Sequence, residues 1–301
     1  TNAAAMATLF DDWFKANAYL EYPKGGSQSI VKALLNGIYS FGGKLRLNSK
    51  VNKIIVKRKK AIGIELQNGE KIYAEHIVSN ADIWNTVDLI PNEIAQKWRE
   101  YSSKTPKCNS FLHIHLGFNA EGLKDIPLHS IWVKDWSQGI TAERNVAVLS
   151  IPSALDPTMA PENKHILHGY TPANETWERW ENLKYGSDEY NKKKEERCSV
   201  FWYPIKKLIP DIEERIEIKM LGTPLTHEKF LNTKNGSYGP AISAAKGLFP
   251  GNKSPIKNLI LCGSSTFPGI GIPPVAASGA MAANTILGAK FQRNLIDELG
   301  I

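Results

Sequence analysis

The sequence predicts an α/β (α+β) fold of two domains, one of which the chain leaves and later re-enters. Three observations predict it. Asn258 to Gly288 reads as a strand, a glycine loop and a helix, the order of a unit in an open α/β sheet. Residues 43–80 read as a β-meander followed by one more strand, suiting the same nucleotide-type, Rossmann-like domain. Between these stretches, residues 111–221 alternate as a second, mainly antiparallel sheet with helices would.

Composition narrows the class. The 301 residues are 42% hydrophobic and 22% charged, values of a globular protein with ample core material. No run reaches the roughly 18–20 apolar residues of a membrane-spanning helix. The net charge of +7 is spread over hairpins and helices, clustering only at Lys57–Lys60 and Lys192–Lys194. Without an aromatic-interleaved basic stripe, nucleic acid is not expected as a partner. Cys108, Cys198 and Cys262 are odd in number and form no CxxC pair, which favours a reducing compartment. The first residue is threonine, and the chain is expected to begin inside a longer protein.

Taken in order, Thr1 to Tyr22 carries Met6, Leu9, Phe10, Trp13, Phe14, Tyr19 and Leu20 at helical spacing. Core packing is the first reading of that aromatic face, with a tunnel wall or a membrane surface as the alternatives. After the break at Tyr22–Ser27, Ser27 is placed to cap a helix whose buried stripe is Ile30, Ala33, Leu34, Ile38 and Phe41, ended by Gly42-Gly43. Val51 to Lys57 predicts a strand, and Ile62, Ile64 and Leu66 alternate inward on the next. Asn68-Gly69 predicts a tight hairpin because both positions tolerate positive φ. A strand at His76–Asn80 follows, Asp82 can cap a helix to Leu89, and Pro91 opens another to about Tyr101.

In Phe111 to Phe118, Leu112, Ile114, Leu116 and Phe118 point one way and His113 and His115 the other. Two histidines at i, i+2 can begin a metal site, but no third ligand follows at a recognisable spacing, so no metal is expected. Further strands are predicted at 131–136, 145–151, 165–170 and 216–221. Glu175 to Leu208 predicts a helix with a solvated charged face, and 223–255 a long, loop-rich return.

In the last stretch, Leu259 to Cys262 is an apolar run, and Ser264 to Gly271 a tight loop with glycines at 269 and 271. Pro273 or Pro274 suits the first turn of a helix whose surface is mostly Ala, Gly and Ser. The loop and helix N-terminus offer N–H groups and a positive dipole end to an anion or carbonyl; a packing turn is the alternative. Gly269-x-Gly271 lacks the third glycine of a dinucleotide fingerprint. No GxSxG, HExxH or P-loop occurs, and Ser264 and Ser265 have no histidine nearby in sequence.

Four motifs carry a resemblance: Tyr22-Pro-Lys-Gly-Gly-Ser27, Gly222-Thr-Pro-Leu-Thr-His227, Gly236-Ser-Tyr-Gly-Pro240 and Cys262-Gly-Ser-Ser-Thr-Phe-Pro-Gly-Ile-Gly271. Together they resemble the FAD-dependent carotenoid isomerases, themselves similar to phytoene desaturases and, more distantly, to retinol saturases and amine oxidases. The resemblance runs from about Tyr22 to Gly288 and covers the C-terminal part of such a protein, without its N-terminal GxGxxG unit. It implies an amine oxidase-like fold. Residues 23–81 and 231–290 would belong to the FAD domain, 1–22 and 82–230 to the substrate domain, and 291–301 to a tail.

The resemblance also implies a cofactor, FAD, and where it would lie. Val51 would lie against the adenine and Ser79-Asn80 by the adenosine half. Gly263 and Ser264 would meet the ribityl and pyrophosphate, and Gly271, Ile272 and Pro273 the flavin N1 and C2 carbonyl. The family usually has Gly-Asp where this chain has Gly263-Ser264, which removes a carboxylate hydrogen bond to the ribityl chain. Gly25, Gly26 and Tyr238 are the implied substrate contacts. The implied activity is cis–trans isomerisation of a poly-cis carotene taken from a membrane surface, with desaturation or saturation as the alternative and a non-catalytic lipid-binding role as the second. Catalytic side chains are not identified, since a polyene offers acid–base catalysis no grip and the cofactor carries the reaction.

Overall fold

The computed structural model describes residues 22–243 and 247–299, so the aromatic stretch ending at Tyr22 lies almost wholly outside the described residues. Two compact units emerge. One gathers Arg46–Cys108 with the chain from Asn232 onward, and the other holds Asn109–Leu231 with the segment that ends at Leu45. The divisions between the units fall at 45/46, 108/109 and 231/232.

Helix α1 spans Ser27–Ser40. Its N-cap is Gly26, at φ 72°, and not Ser27, which makes no capping bond. The turn before it requires glycine: Gly25 sits at φ +79°, and a Cβ on Gly26 would come within 2.8 Å of the Met159 methyl. Gly25 N–H donates to Asp156 Oδ2 at 2.8 Å, anchoring the turn. The expected buried stripe is open, with Leu34 66% and Phe41 93% exposed. Periodicity marks a face that wants cover without providing the cover.

Strands β1 (Val51–Lys57), β2 (Lys60–Leu66) and β3 (Lys71–Tyr73) form the meander in the order β1-β2-β3. The tight turn is the charged one. Arg58 and Lys59 take φ 50° and 60° between paired Lys57 and Lys60, the positive φ at both central positions that a two-residue hairpin needs. At Asn68-Gly69 only Gly69 is left-handed, and Asn68 Oδ1 instead accepts from Glu70 N–H at 3.1 Å. Burial on β2 also differs from expectation. Ala61 and Gly63 are buried while Ile62 and Ile64 are half-buried, because a Cβ at Gly63 would meet the Ile72 carbonyl at 2.4 Å.

Strand β4 (Ile77–Ser79) leads through Asp82, whose Oδ1 accepts from Asn85 N–H at 2.7 Å, into α2 (Ile83–Asp88). Helix α3 spans Gln96–Lys104, beginning later than Pro91. Next come β5 (His113–Asn119), β6 (His129–Val133), β7 (Val146–Ser150) and β8 (Lys164–Tyr170). Helices α4 (Asp188–Cys198), α5 (Trp202–Leu208) and α6 (Ile212–Arg215) lead to β9 (Ile216–Gly222) and α7 (Pro224–Leu231). The sheet order is β6-β7-β8-β5-β9, with antiparallel pairing throughout. Leu112, Ile114, Leu116 and Phe118 are at most 2% exposed and pack with Trp180, Phe201 and Ile205 into the core of this unit, as the alternation predicts.

Three expectations fail here. Residues 175–187 are not α-helical, because Glu175 bridges Ser110 and Ser187 caps α4. Nor are the charges there all solvated. The Glu175 side chain is 1% exposed and Arg197 10%, and the Glu175 carboxylate accepts from Arg197 and from Trp180 Nε1. The predicted loop from 223 likewise begins with α7.

The chain then completes the first unit with β10 (Leu259–Leu261), α8 (Ile272–Leu287) and α9 (Ala289–Leu299). Strand β10 runs parallel to β4, with Leu259 opposite Ile77 and Leu261 opposite Ser79. All three β10 side chains are buried, as the apolar run predicts.

Candidate functional site

Parallel pairing brings the carboxyl ends of β4 and β10 side by side, and ligands of open α/β sheets bind outside strand ends of this kind. Asn80 and Gly263 meet there, and a Cβ on Gly263 would stand 2.5 Å from Asn80 Oδ1. Gly263, at φ +103°, is therefore required both by its conformation and by its neighbour.

Side chains the sequence did not flag hold the loop that follows. Ser278, on α8 and fully buried, accepts from Gly263 N–H at 3.0 Å and pairs with Thr266 Oγ1 at 2.6 Å. Thr266 Oγ1 also donates to the Gly263 carbonyl at 2.8 Å. Asn252 donates to the carbonyls of Leu261 and Ser278. Ser265 Oγ accepts from Ile83 N–H at 3.0 Å. A preorganised backbone results.

These bonds sort the expected cofactor residues. Ser79 is buried, with its hydroxyl paired to Thr86 at 2.7 Å, and the Gly263 N–H is committed to Ser278. Asn80, Gly271, Ile272 and Pro273 are exposed and Ser264 half-exposed, so these five form the open rim. Gly271 caps α8 at φ 113°. Pro273 and Pro274 lack N–H groups, which leaves Ile272 as the first-turn donor of a helix whose positive end faces outward. Val51 opens β1, opposite Leu66. Burial pushes the half-buried Cys262 thiol up, away from the thiolate that covalent attachment of a cofactor would need.

Tyr238 belongs to this unit, and burial raises its phenol to about 12. Its neighbour Gly239 could not carry a side chain, since a Cβ would come within 2.7 Å of the Ser264 carbonyl. Gly25 and Gly26 belong to the other unit, in the turn docked on Asp156 and Met159.

The second unit carries a feature that no sequence spacing disclosed. On the β5 face opposite the core, cross-strand register sets His168 of β8 opposite His115 and Tyr170 opposite His113. His113 Nδ1 and His168 Nε2 share a hydrogen bond of 2.8 Å. His227 of α7 meets His113 edge-on, with ring centroids 4.8 Å apart. Burial first, then neighbouring imidazoles, pushes His113 down to about 2, and the same causes take His168 and His227 to about 4. The cluster is therefore neutral at neutral pH. Met220 and Ile218 of β9, 58% and 56% exposed, border it and give the face an apolar margin.

A family model described as flavin containing amine oxidoreductase matches residues 2–287. Prolycopene isomerase 1, chloroplastic, of an Oncidium hybrid cultivar is 37% identical over 288 residues, covering 92% of this chain and 48% of that protein. The Arabidopsis thaliana prolycopene isomerase is 36% identical over the same length, again 92% of this chain and 48% of the relative. The phytoene desaturase (neurosporene-forming) of Rhodobacter capsulatus is 29% identical, covering 89% of this chain and 53% of its own. The chain thus spans about half the length of these relatives. Among solved structures, an oxidoreductase from Methanosarcina mazei superposes with a TM-score of 0.60 at 20% identity, covering 87% of this chain and 55% of the other. A redesigned putrescine oxidase gives 0.54 at 12% identity, with 87% and 52% covered; both likenesses concern the fold alone. The chain belongs to the flavin-containing amine oxidoreductase family.

Proposed function

We propose that the protein to which this chain belongs is an FAD-dependent carotenoid isomerase acting on a poly-cis carotene. The observation that carries this reading is the 37% identity to a prolycopene isomerase over 92% of the chain. The rim at Asn80, Ser264, Gly271, Ile272 and Pro273, with buried Gly263 behind it, fits a flat, electron-rich group. It is open, side-chain-free at both glycines, and set at the positive end of a 16-residue helix. Asn80 and Ser264 would hold polar groups of the cofactor's chain, and the Ile272 N–H would donate to an oxygen or nitrogen of the ring. When bound in reduced form, flavin supplies electron density that loosens a double bond of the polyene with no net redox change. The residues of this chain bind, orient and exclude water.

The alternative is a desaturase or saturase on a related isoprenoid, favoured by the 29% identity to a phytoene desaturase. A lipid-binding relative without turnover is the third reading. Among the described residues no helix is long and apolar enough to cross a membrane, so a carotene would be collected at a bilayer surface by peripheral contact. The relatives named chloroplastic suggest a plastid membrane.

Incubating the full-length protein with reduced flavin and a poly-cis carotene separates the three. Isomerisation leaves the mass unchanged and alters the geometry of the product. A shift of two hydrogens would replace the isomerase reading with the desaturase or saturase one, and no turnover with no retained flavin would leave the lipid-binding one.

A further inference from the structure

None of the residues expected to hold the cofactor belongs to the histidine cluster on the outer face of β5. His113 and His115 share that face by strand alternation, and the register adds His168 of β8 directly opposite His115. One ring nitrogen of each lies within 4.8 Å of the others. All three members are imidazoles, a donor set suited to zinc, copper, nickel and cobalt and poor for calcium or magnesium. The bond to His168 uses His113 Nδ1, while His113 Nε2, on the other side of the ring, is buried with no hydrogen-bond partner. His115 is exposed, leaving the cluster open to solvent from one side.

We propose that His113, His115 and His168 form a binding site for a divalent transition-metal ion of the zinc–cobalt class, held by three imidazoles with a fourth position open. A tetrahedral ion with bonds of about 2.0–2.1 Å sets its nitrogen ligands roughly 3.3–3.4 Å apart. The 2.8 Å His113–His168 pair must therefore open slightly and the wider pairs close. Side-chain rotation suffices, because the paired strands already fix the Cβ positions. The planes of the His113 and His168 rings are within 3° of parallel with centroids 5.1 Å apart. With a 2.8 Å nitrogen–nitrogen distance, this is an edge-to-edge arrangement in which the two nitrogens face each other. An entering ion takes the place of the shared proton, which moves to the far nitrogen of its own ring, so both rings ligate as neutral imidazoles. His227, edge-on to His113, restrains that ring.

The test uses the full chain, stripped with EDTA and titrated with Co(II) while the visible d–d absorption is followed, then with Zn(II) as competitor. One equivalent of Co(II) is expected to saturate the signal, and Zn(II) to abolish it. His115→Ala and His168→Ala should each weaken binding by at least about tenfold, whereas His76→Ala, at an exposed position in the other unit, should leave it unchanged. His115→Gln and His168→Gln keep size and polarity and replace the alanine variants should either fail to fold. In wild type Zn(II) should raise Tm, and in these variants it should not. The absence of saturable Co(II) binding overturns the site, as does wild-type affinity in both the His115 and His168 variants.

Discussion

Ser264 stands on the open rim at the position where the resemblance implies an aspartate. A hydroxyl makes an ordinary hydrogen bond, whereas a carboxylate makes a charge-assisted one, with a net value of about 1.5–3 kcal/mol. Ser264→Asp in the full-length protein is therefore expected to tighten FAD binding by about tenfold, at roughly 1.4 kcal/mol per decade. Flavin fluorescence titration reads it, and unchanged or weaker binding would sink the assignment of Ser264 to the ribityl side. At this scale the sequence was legible where the backbone forces the residue type. Gly263 could be singled out because only glycine fits at φ +103° beside Asn80. Ser278, Thr266 and Asn252 could not, because they converge from different segments with no local periodicity to tie them together.

Elements were legible where burial is one-sided. The β5 alternation separates Leu112, Ile114, Leu116 and Phe118 from His113 and His115 correctly, since period-two patterning in a strand has no second interpretation. The stretch from Glu175 was misread because lysine and glutamate signal helix and solvent equally well. One of its carboxylates is instead buried in an ion pair with Arg197, which also bonds Glu143 at 3.0 Å. Desolvation opposes the charge on Glu143, but hydrogen bonds from Arg179 and Arg197 outweigh it and hold the group below its ordinary value of 4.5. A depressed carboxylate stabilises the fold above its unfolded value and ceases to do so as pH falls through the folded one. The second unit should therefore lose stability as pH drops below about 4.5, by this linkage. Arg197→Leu leaves the buried Glu175 carboxyl without its ion-pair partner, at a cost of about 3–5 kcal/mol, and should flatten that acid dependence. Urea denaturation of both proteins at pH 7 and pH 4 checks it; an Arg197→Leu variant as stable as wild type would assign the network to the surface.

On the scale of the molecule, the expected pattern of departure and return rests on the different apolar rhythm of parallel and antiparallel segments. Helices α2 and α3 carry no sequence signal of which unit they pack with, and one division falls after Cys108. Two helices bear on what the chain does by itself. α1 shows Leu34 and Phe41 to solvent, and α8, next to the candidate cofactor rim, shows Ile272 and Leu287 at 63% and 61% exposure. Apolar faces of this kind are stable when covered, and the related isomerase has as much chain again as the part matched here. In Rossmann-type domains the pyrophosphate is held by a glycine-rich βαβ unit, and the glycine loop at the start of α8 lacks that fingerprint. Two charge-assisted bonds from such a unit, at about 1.5–3 kcal/mol each, would add roughly a hundredfold or more in affinity. The 301-residue chain is therefore expected to bind FAD at least about a hundredfold more weakly than the full-length protein. Isothermal titration of both with FAD decides it: equal affinity would mean that the residues described here already make the whole cofactor site, and that the rim at Asn80 and Gly271 does more than half of the binding.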